Sequence, residues 1–272
     1  MRHPRDVAGA TAPEAASGAA PLLHAQDVTL QYKTPDHLVT ATWRVSFDIF
    51  PAERFVILGP SGCGKSTILK AIAGFMPPVE GEITLKGKPI RAPGPDRMMV
   101  FQEFDQLLPW KTVKHNVMFP MTENGISRAE AERRALETIA KVNLTNFVEA
   151  YPHMLSGGMK QRCAIARAMA MKPDVLLMDE PYASLDALTR RRMQDELLQL
   201  WDDIRFTLVF VTHSIEEAVI LGSRILVLSP HPGQVRAELN SPGFALAERD
   251  GVAFQGLIKR ISNMLFGDRA DA

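Results

Sequence analysis

Short apolar runs alternate with stretches of helical period along most of this chain. Residues 55–58 (Phe-Val-Ile-Leu), 97–101, 175–178 and 207–211 are too short for helices and carry few polar interruptions, as strands buried on both faces of a sheet do. Residues 225–229 close this set. Between them, residues 65–73 read as a helix stopped by Gly74, and residues 157–171 as one stopped before Pro173. In a third helix, over 127–142, Ala131, Ala135, Leu136, Ile139 and Val142 form an apolar stripe, and Ser127 with Glu130 forms an S-x-x-E capping box. Together these predict an α/β fold with a parallel core sheet covered on both faces. Residues 27–32, 41–49 and the alternating 82–86 predict a separate antiparallel β element. Past Pro230 the pattern weakens, with a helix expected near 255–266. Residues 1–22, rich in Ala, Gly and Pro, read as a disordered leader. Arg2 and Arg5 there precede no apolar core, and Pro13 and Glu14 interrupt the stretch, which argues against an export signal.

Polar chemistry gathers where the apolar runs end. Residues 59–67 read GPSGCGKST, matching G-x-x-x-x-G-K-[ST] between a predicted strand and a predicted helix. Gly59, Gly62 and Gly64 let the backbone curl with its N–H groups inward, and the helix adds the positive end of its dipole. Lys65 supplies a charge for the β- and γ-phosphates, and the Ser66 hydroxyl suits Mg²⁺. The whole run, Gly59, Pro60, Ser61, Gly62, Cys63, Gly64, Lys65, Ser66 and Thr67, is therefore expected to cradle ATP. A Gly-rich turn that merely caps a helix would leave the lysine and the hydroxyl without purpose. Three further strands end in Gln102, in Asp179-Glu180 and in Thr212-His213. If all four run parallel, these groups converge on one nucleotide outside the carboxyl edge of the sheet. Asp179 is then expected to hold Mg²⁺ with Ser66, and Glu180 to act as general base towards water. His213 would bridge Glu180, water and the γ-phosphate, and Gln102 would ligate Mg²⁺ or position the water. Taken singly, each of these has a blander reading as a polar strand cap, a solvated acidic loop or a surface histidine. The phosphate loop upstream changes that balance.

A second anion device follows at residues 155–162, LSGGMKQR. Ser156 is a good helix N-cap, and Gly157 and Gly158 leave room for close approach. One ATP does not need both devices from one chain. Two copies arranged head to tail, each contributing its loop to one ATP and its Ser156 helix to the other, use both.

The 272 residues, 46% of them hydrophobic, suffice for one large domain with a subdomain. The 31 basic and 31 acidic residues cancel, so no basic excess points to nucleic acid. No uncharged apolar stretch reaches the roughly 18 residues of a membrane span. Cys63 and Cys163 lie far apart in motif settings, which suits a reducing compartment better than a disulfide framework.

Over about residues 25–230 the chain resembles the nucleotide-binding subunits of ATP-binding cassette (ABC) transporters. The resemblance rests on the phosphate loop, on Gln102 as the Q-loop, on the signature 155–161, on Asp179-Glu180, on the D-loop 184–186 and on His213 as the switch histidine. It implies the P-loop NTPase cassette fold, with a parallel core sheet, an antiparallel β subdomain and an inserted helical subdomain at about 103–160. The domain would span 23–230, with a tail over 231–272. It also implies that Tyr32 stacks on adenine, and that Gln161 and Asp186 join Ser156, Gly157 and Gly158 at the nucleotide shared by two copies. ATP and Mg²⁺ follow as cofactors. Transmembrane permease subunits, an extracytoplasmic solute-binding protein and a place at the cytoplasmic face of the inner membrane follow as context, with no nucleic-acid partner.

Residues 107–110 (LLPW), 186–190 (DALTR) and 226–230 (LVLSP) followed by Pro232-Gly233 resemble importers of nitrate, sulfonate and taurine. Leu107, Leu108 and Trp110 read either as subdomain core or as a groove for a coupling helix of the permease. Two positions depart from that pattern: Ala52 where a glycine is usual, and Tyr182 where Phe is frequent. Two other activities use related loops. An ABC-type ATPase acting on nucleic acid or ribosomes commonly carries paired cassettes, coiled coils or zinc modules, none of which is readable here. A small-molecule kinase leaves 155–162 and His213 unexplained.

Overall fold

The computed structural model describes residues 20–34, 37–102, 106–244, 249 and 251–267, so most of the expected leader lies outside the described residues. Two sheets organise the chain. The larger contains β3 (Arg54–Leu58), β6 (Arg97–Val100), β7 (Val175–Asp179), β8 (Thr207–Thr212), β9 (Arg224–Leu228) and β10 (Val235–Asn240), in the order β10-β9-β3-β8-β7-β6. All neighbours pair in parallel except β10, which runs antiparallel to β9 at one edge. The smaller sheet is antiparallel, with β1 (Leu23–Lys33), β2 (Leu38–Ile49), β4 (Glu80–Leu85) and β5 (Lys88–Pro89) in the order β2-β1-β4-β5.

The continuous apolar runs are explained by two cores, one on each face of the parallel sheet. Along β3, Val56 and Leu58 enter one core while Phe55 and Ile57 enter the other. β7 and β8 alternate in the same way, so the strand period of two feeds both faces. On one side lie α1 (Lys65–Ala73) and the antiparallel sheet. On the other lie α4 (Gly157–Ala170), α5 (Ala187–Ile204), α6 (Ile215–Leu221) and the helical insert, α2 (Val113–Glu123) and α3 (Arg128–Lys141). The boundary between the sheets is tied by Arg224, whose Nε lies 3.0 Å from Glu53 and 3.1 Å from Glu238. Its guanidinium also donates to the Asp48 carbonyl. Burial pushes both carboxyls up, and the Arg224 charge pulls them back.

Several local expectations are corrected. The capping box of α3 is half made: the Ser127 hydroxyl accepts from the Glu130 N–H at 3.4 Å, but the Glu130 carboxylate turns to Arg133 and Arg134 instead of back to Ser127. Two guanidiniums one turn away outcompete a neutral N–H for a carboxylate. In the apolar stripe, Leu136 faces solvent while Ala131, Ala135, Ile139 and Val142 are buried. Ala52 adopts φ +56°, the left-handed region that explains why glycine suits this turn, and its N–H donates to Thr207 Oγ1. Tyr182 is fully buried and places its hydroxyl 3.4 Å from the Met193 carbonyl, which answers the polar tip a Phe would lack.

The weakly patterned tail belongs to the fold. β10 extends the core sheet beyond Pro230, and α7 (Val252–Phe266) packs onto α6 through buried Phe254, Ile261 and Leu265. Phe254 meets Phe244 edge-on at 5.2 Å between centroids. No helix among the described residues is long and apolar enough to cross a membrane. Because Phe254 is almost wholly enclosed, Phe254→Ala should destabilise the protein by about 3–5 kcal/mol in urea titration. Truncating the exposed Val252 to Ala should stay within about 0.5 kcal/mol.

Candidate active site

The parallel register brings four strand ends to one edge. Leu58, the last residue of β3, is level with Thr212 of β8, and Asp179 of β7 is level with Val211. Beyond β3 the chain curls through Gly62 (φ +82°) and Gly64 (φ +92°) before entering α1. Gly64 tolerates no side chain for a second reason: a Cβ there would lie 2.6 Å from Thr42 Cγ2 and 2.7 Å from the Ala41 carbonyl. The loop is thus pressed against β2. From below, Gly233 braces it, since a Cβ on Gly233 would lie 2.1 Å from the Cys63 carbonyl oxygen. Gly233 also exchanges backbone hydrogen bonds with Ala41 and Trp43 of β2, at 2.9 Å each.

The resulting cleft encloses about 190 Å³ and is lined by Ser61, Gly62, Gly64, Lys65, Ser66, Thr67, Ala41, Glu180 and Tyr32. Tyr32 belongs to the antiparallel sheet and is half-exposed at this cleft. Lys65 is buried, with Nζ donating to the carbonyls of Gly59 at 2.9 Å and Pro60 at 3.0 Å. Ser66 Oγ donates to Asp179 Oδ1 at 2.7 Å. Burial raises the Asp179 carboxyl, and the Ser66 hydrogen bond and the lysines oppose that rise.

Glu180 follows with φ +41°, a left-handed conformation that costs energy in a non-glycine residue. It swings the carboxylate away from Asp179, so that Oε1 lies 3.7 Å from Lys65 Nζ and Oε2 lies 2.8 Å from His213 Nδ1. Its own N–H donates to the Val211 carbonyl at 3.0 Å, so the strained residue is held by β8. Lys65, Ser66 and Glu180 thus line one cleft, with Asp179 hydrogen-bonded behind Ser66 and His213 behind Glu180. Such a set binds a polyphosphate and activates water.

The donor set fits Mg²⁺. Ser66 and Asp179 offer two oxygens side by side, the hard ligands this ion takes when substrate phosphates and water complete its shell. Among the described residues no group of three His, Cys, Asp or Glu could hold a metal ion. Gln102 stands exposed just beyond β6, at the same edge, and makes no hydrogen bond to Ser66 or Asp179.

Other candidate residues sit elsewhere. Ser156 caps α4 by accepting from the Met159 N–H at 3.4 Å, yet neither it nor Gly157 nor Gly158 lines the cleft. A Cβ on Gly158 would meet Thr189 at 3.4 Å and Met193 at 3.7 Å, ordinary contact distances, so nothing within this chain demands a glycine there. Asp186 caps α5, accepting from the Thr189 N–H at 3.0 Å, which lowers its carboxyl pKa. The Gln161 side chain is fully buried in the single chain, with Oε1 3.5 Å from Gln106. The Cys63 thiol is buried behind the loop, where a Cβ on Gly59 would lie 2.7 Å from Sγ, and burial raises its pKa. The apolar cluster after Gln102 divides, Leu107 entering the core and Trp110 remaining exposed.

Sequence reading missed Glu217, Gln194 and Arg190, which lie around His213. The readable signal was a second S-x-x-E, Ser214 to Glu217, opening α6.

Comparison with known proteins agrees with this geometry. The family model described as ABC transporter matches residues 43–183. The taurine import ATP-binding protein TauB of Rhizobium johnstonii is 53% identical over 203 residues, covering 74% of this chain and 77% of that protein. An ABC transporter ATP-binding protein of Methanocaldococcus jannaschii is 41% identical, covering 89% of this chain and 91% of its own length. Among solved structures, the ATP-binding cassette MJ0796, captured as a dimer with ADP and Pi, superposes with a TM-score of 0.70 at 34% identity, covering 82% of this chain and 100% of that one. With its phosphate loop, magnesium pair and strained carboxylate at one sheet edge, the chain belongs to the ABC transporter family as an ATP-binding and ATP-hydrolysing subunit similar to TauB.

Proposed function

We propose that this subunit powers import of a small anionic solute of the sulfonate type, and that two copies close head to tail around two ATP molecules. The observation that carries the catalytic part is the linked set of Lys65, Ser66 and Glu180 at one cleft, with Asp179 bonded to Ser66 and His213 to Glu180. Lys65 and the loop N–H groups bind the β- and γ-phosphates, and Tyr32 stacks on the base. Ser66 and Asp179, with Gln102, would hold Mg²⁺, which would supply charge neutralisation for the phosphates. Glu180 takes a proton from the attacking water, its oxygen bonds to the γ-phosphorus, and the bond to the ADP oxygen breaks. His213 holds the Glu180 carboxylate in place.

Support for the head-to-tail pair comes from the signature helix. Ser156 and Gly158 carry an open anion-binding terminus that their own cleft does not use. Asp186 caps α5, whose Thr189 a Cβ on Gly158 would meet at 3.4 Å. Trp110, exposed and eight residues after Gln102, is the contact proposed for a permease helix, with the subunit at the cytoplasmic face of the inner membrane. An extracytoplasmic binding protein would supply the solute, and the likeness to TauB supports the sulfonate class.

Glu180→Gln should preserve ATP binding and lower Mg²⁺-ATP turnover by about 10²–10⁴-fold, measured as phosphate release. Turnover within about tenfold of the parent would remove Glu180 from the role of base. The tagged Glu180→Gln chain with ATP, captured from solubilised native membranes, should bring down a polytopic membrane protein. Recovery of soluble or nucleic-acid-bound partners alone would sink the import reading. Trp110→Ala should weaken that co-purification while leaving the ATPase rate of the isolated chain intact; full assembly would return Trp110 to an incidental surface role.

A further inference from the structure

Glu217 is only 6% exposed, a rare setting for a carboxylate unless its partners are arranged for it. Oε2 accepts from the Thr212 hydroxyl, and Oε1 accepts from Gln194 Nε2 at 3.1 Å. Thr212 Oγ1 in turn accepts from the Ser214 N–H at 3.0 Å, and the Ser214 hydroxyl accepts from the N–H of Glu217 at 3.3 Å. His213 lies between Thr212 and Ser214, so one chain neighbour is tied to the carboxylate directly and the other through the Thr212 hydroxyl. A small cavity of about 50 Å³ joins Glu217 to Glu180, His213 and Arg190.

The other end of the network lies on α5. Gln194 belongs to that helix, whose N-cap is Asp186. Arg190, one turn earlier, donates to the carbonyls of Tyr182 at 3.2 Å and Leu185 at 2.8 Å. Those carbonyls belong to the loop that runs from Glu180 to Asp186. The buried carboxylate therefore joins the segment bearing His213 to the helix that anchors this loop. None of these bonds reaches the nucleotide cleft itself.

We propose that Glu217 is a positioning residue for hydrolysis: it clamps the backbone on both sides of His213 to α5, so that His213 Nδ1 stays within reach of Glu180. The proposal rests on the roles given above to Glu180 and His213. A residue that only stabilised the fold would make the same contacts, so the test must separate rate from stability.

The hydrogen-bond polarity supplies that separation. In Glu217→Gln the shape is kept, but one of the two oxygens becomes an NH₂ that faces a donor, and the contact with that donor is lost. Adding Gln194→Glu reverses the pair: the new amide donates to the new carboxylate, while its oxygen still accepts from Thr212. With the full-length chain, E217Q should lower kcat for Mg²⁺-ATP by about 10- to 100-fold, the loss typical of outer hydrogen-bond partners, with KM and the affinity for a fluorescent ATP analogue unchanged. The double variant E217Q/Q194E should recover most of kcat. A kcat for E217Q within about threefold of the parent, or a loss that merely follows Tm and is not recovered by the double variant, overturns the proposal. H213A measured beside them tells the two layers apart. If H213A loses turnover and E217Q does not, only the positioning role falls; if H213A turns over normally, the reading of His213 beneath it falls too.

Discussion

Ser66 Oγ and Asp179 Oδ1 lie 2.7 Å apart across 113 residues of sequence, and the rest of the site depends on that closeness. It exists because β3, β8 and β7 pair in parallel without a slip, Leu58 against Thr212 and Asp179 against Val211. A register shift of one residue would turn every side chain of a strand to the opposite core. With Val56 and Leu58 in one core and Phe55 and Ile57 in the other, such a shift is opposed over the whole strand. The same burial that stabilises the sheet therefore sets the distance between the Ser66 hydroxyl and the Asp179 carboxylate.

Three departures from local rules meet where the chemistry gathers. Glu180 sits at φ +41°, Lys65 is a buried ammonium held by two carbonyls, and Asp179 keeps a buried carboxylate beside a hydroxyl. Each departure is held by something stronger nearby: the Val211 carbonyl for Glu180, the curl at Gly59 and Pro60 for Lys65, Ser66 for Asp179. Concentration of such departures in one cleft is the pattern of a site preorganised for charge that arrives with the substrate. Elsewhere the buried charge is structural. Arg224 with Glu53 and Glu238 joins β9 and β10 to the turn before β3, far from any cleft.

The antiparallel sheet and the segment after β9 give the phosphate loop its second wall. Ala41 and Thr42 press on Gly64, and Gly233 presses on the Cys63 carbonyl. This explains two features with one contact. Tyr32 reaches a cleft built by another sheet, and the chain beyond Pro230 is part of the cassette instead of an appendage.

The sequence by itself determined the elements whose signal is local. The glycine spacing at 59–64, the apolar strands, the helix caps at Ser127 and Ser156, and the convergence of Asp179, Glu180 and His213 follow from chemistry within a few residues or from a single rule about parallel sheets. Tertiary structure alone decided where side chains with two plausible environments point. Cys63 and Gln161 sit in motifs yet turn inward, Leu136 lies in an apolar stripe yet turns outward, and the Glu130 carboxylate follows its arginines. β10 was illegible because an edge strand half in water needs little apolar pattern and takes its hydrogen bonds from β9. Glu217 was illegible for the opposite reason: its partners, Thr212 and Gln194, come from two separate elements, and only their packing brings a carboxylate, a hydroxyl and an amide into hydrogen-bond range.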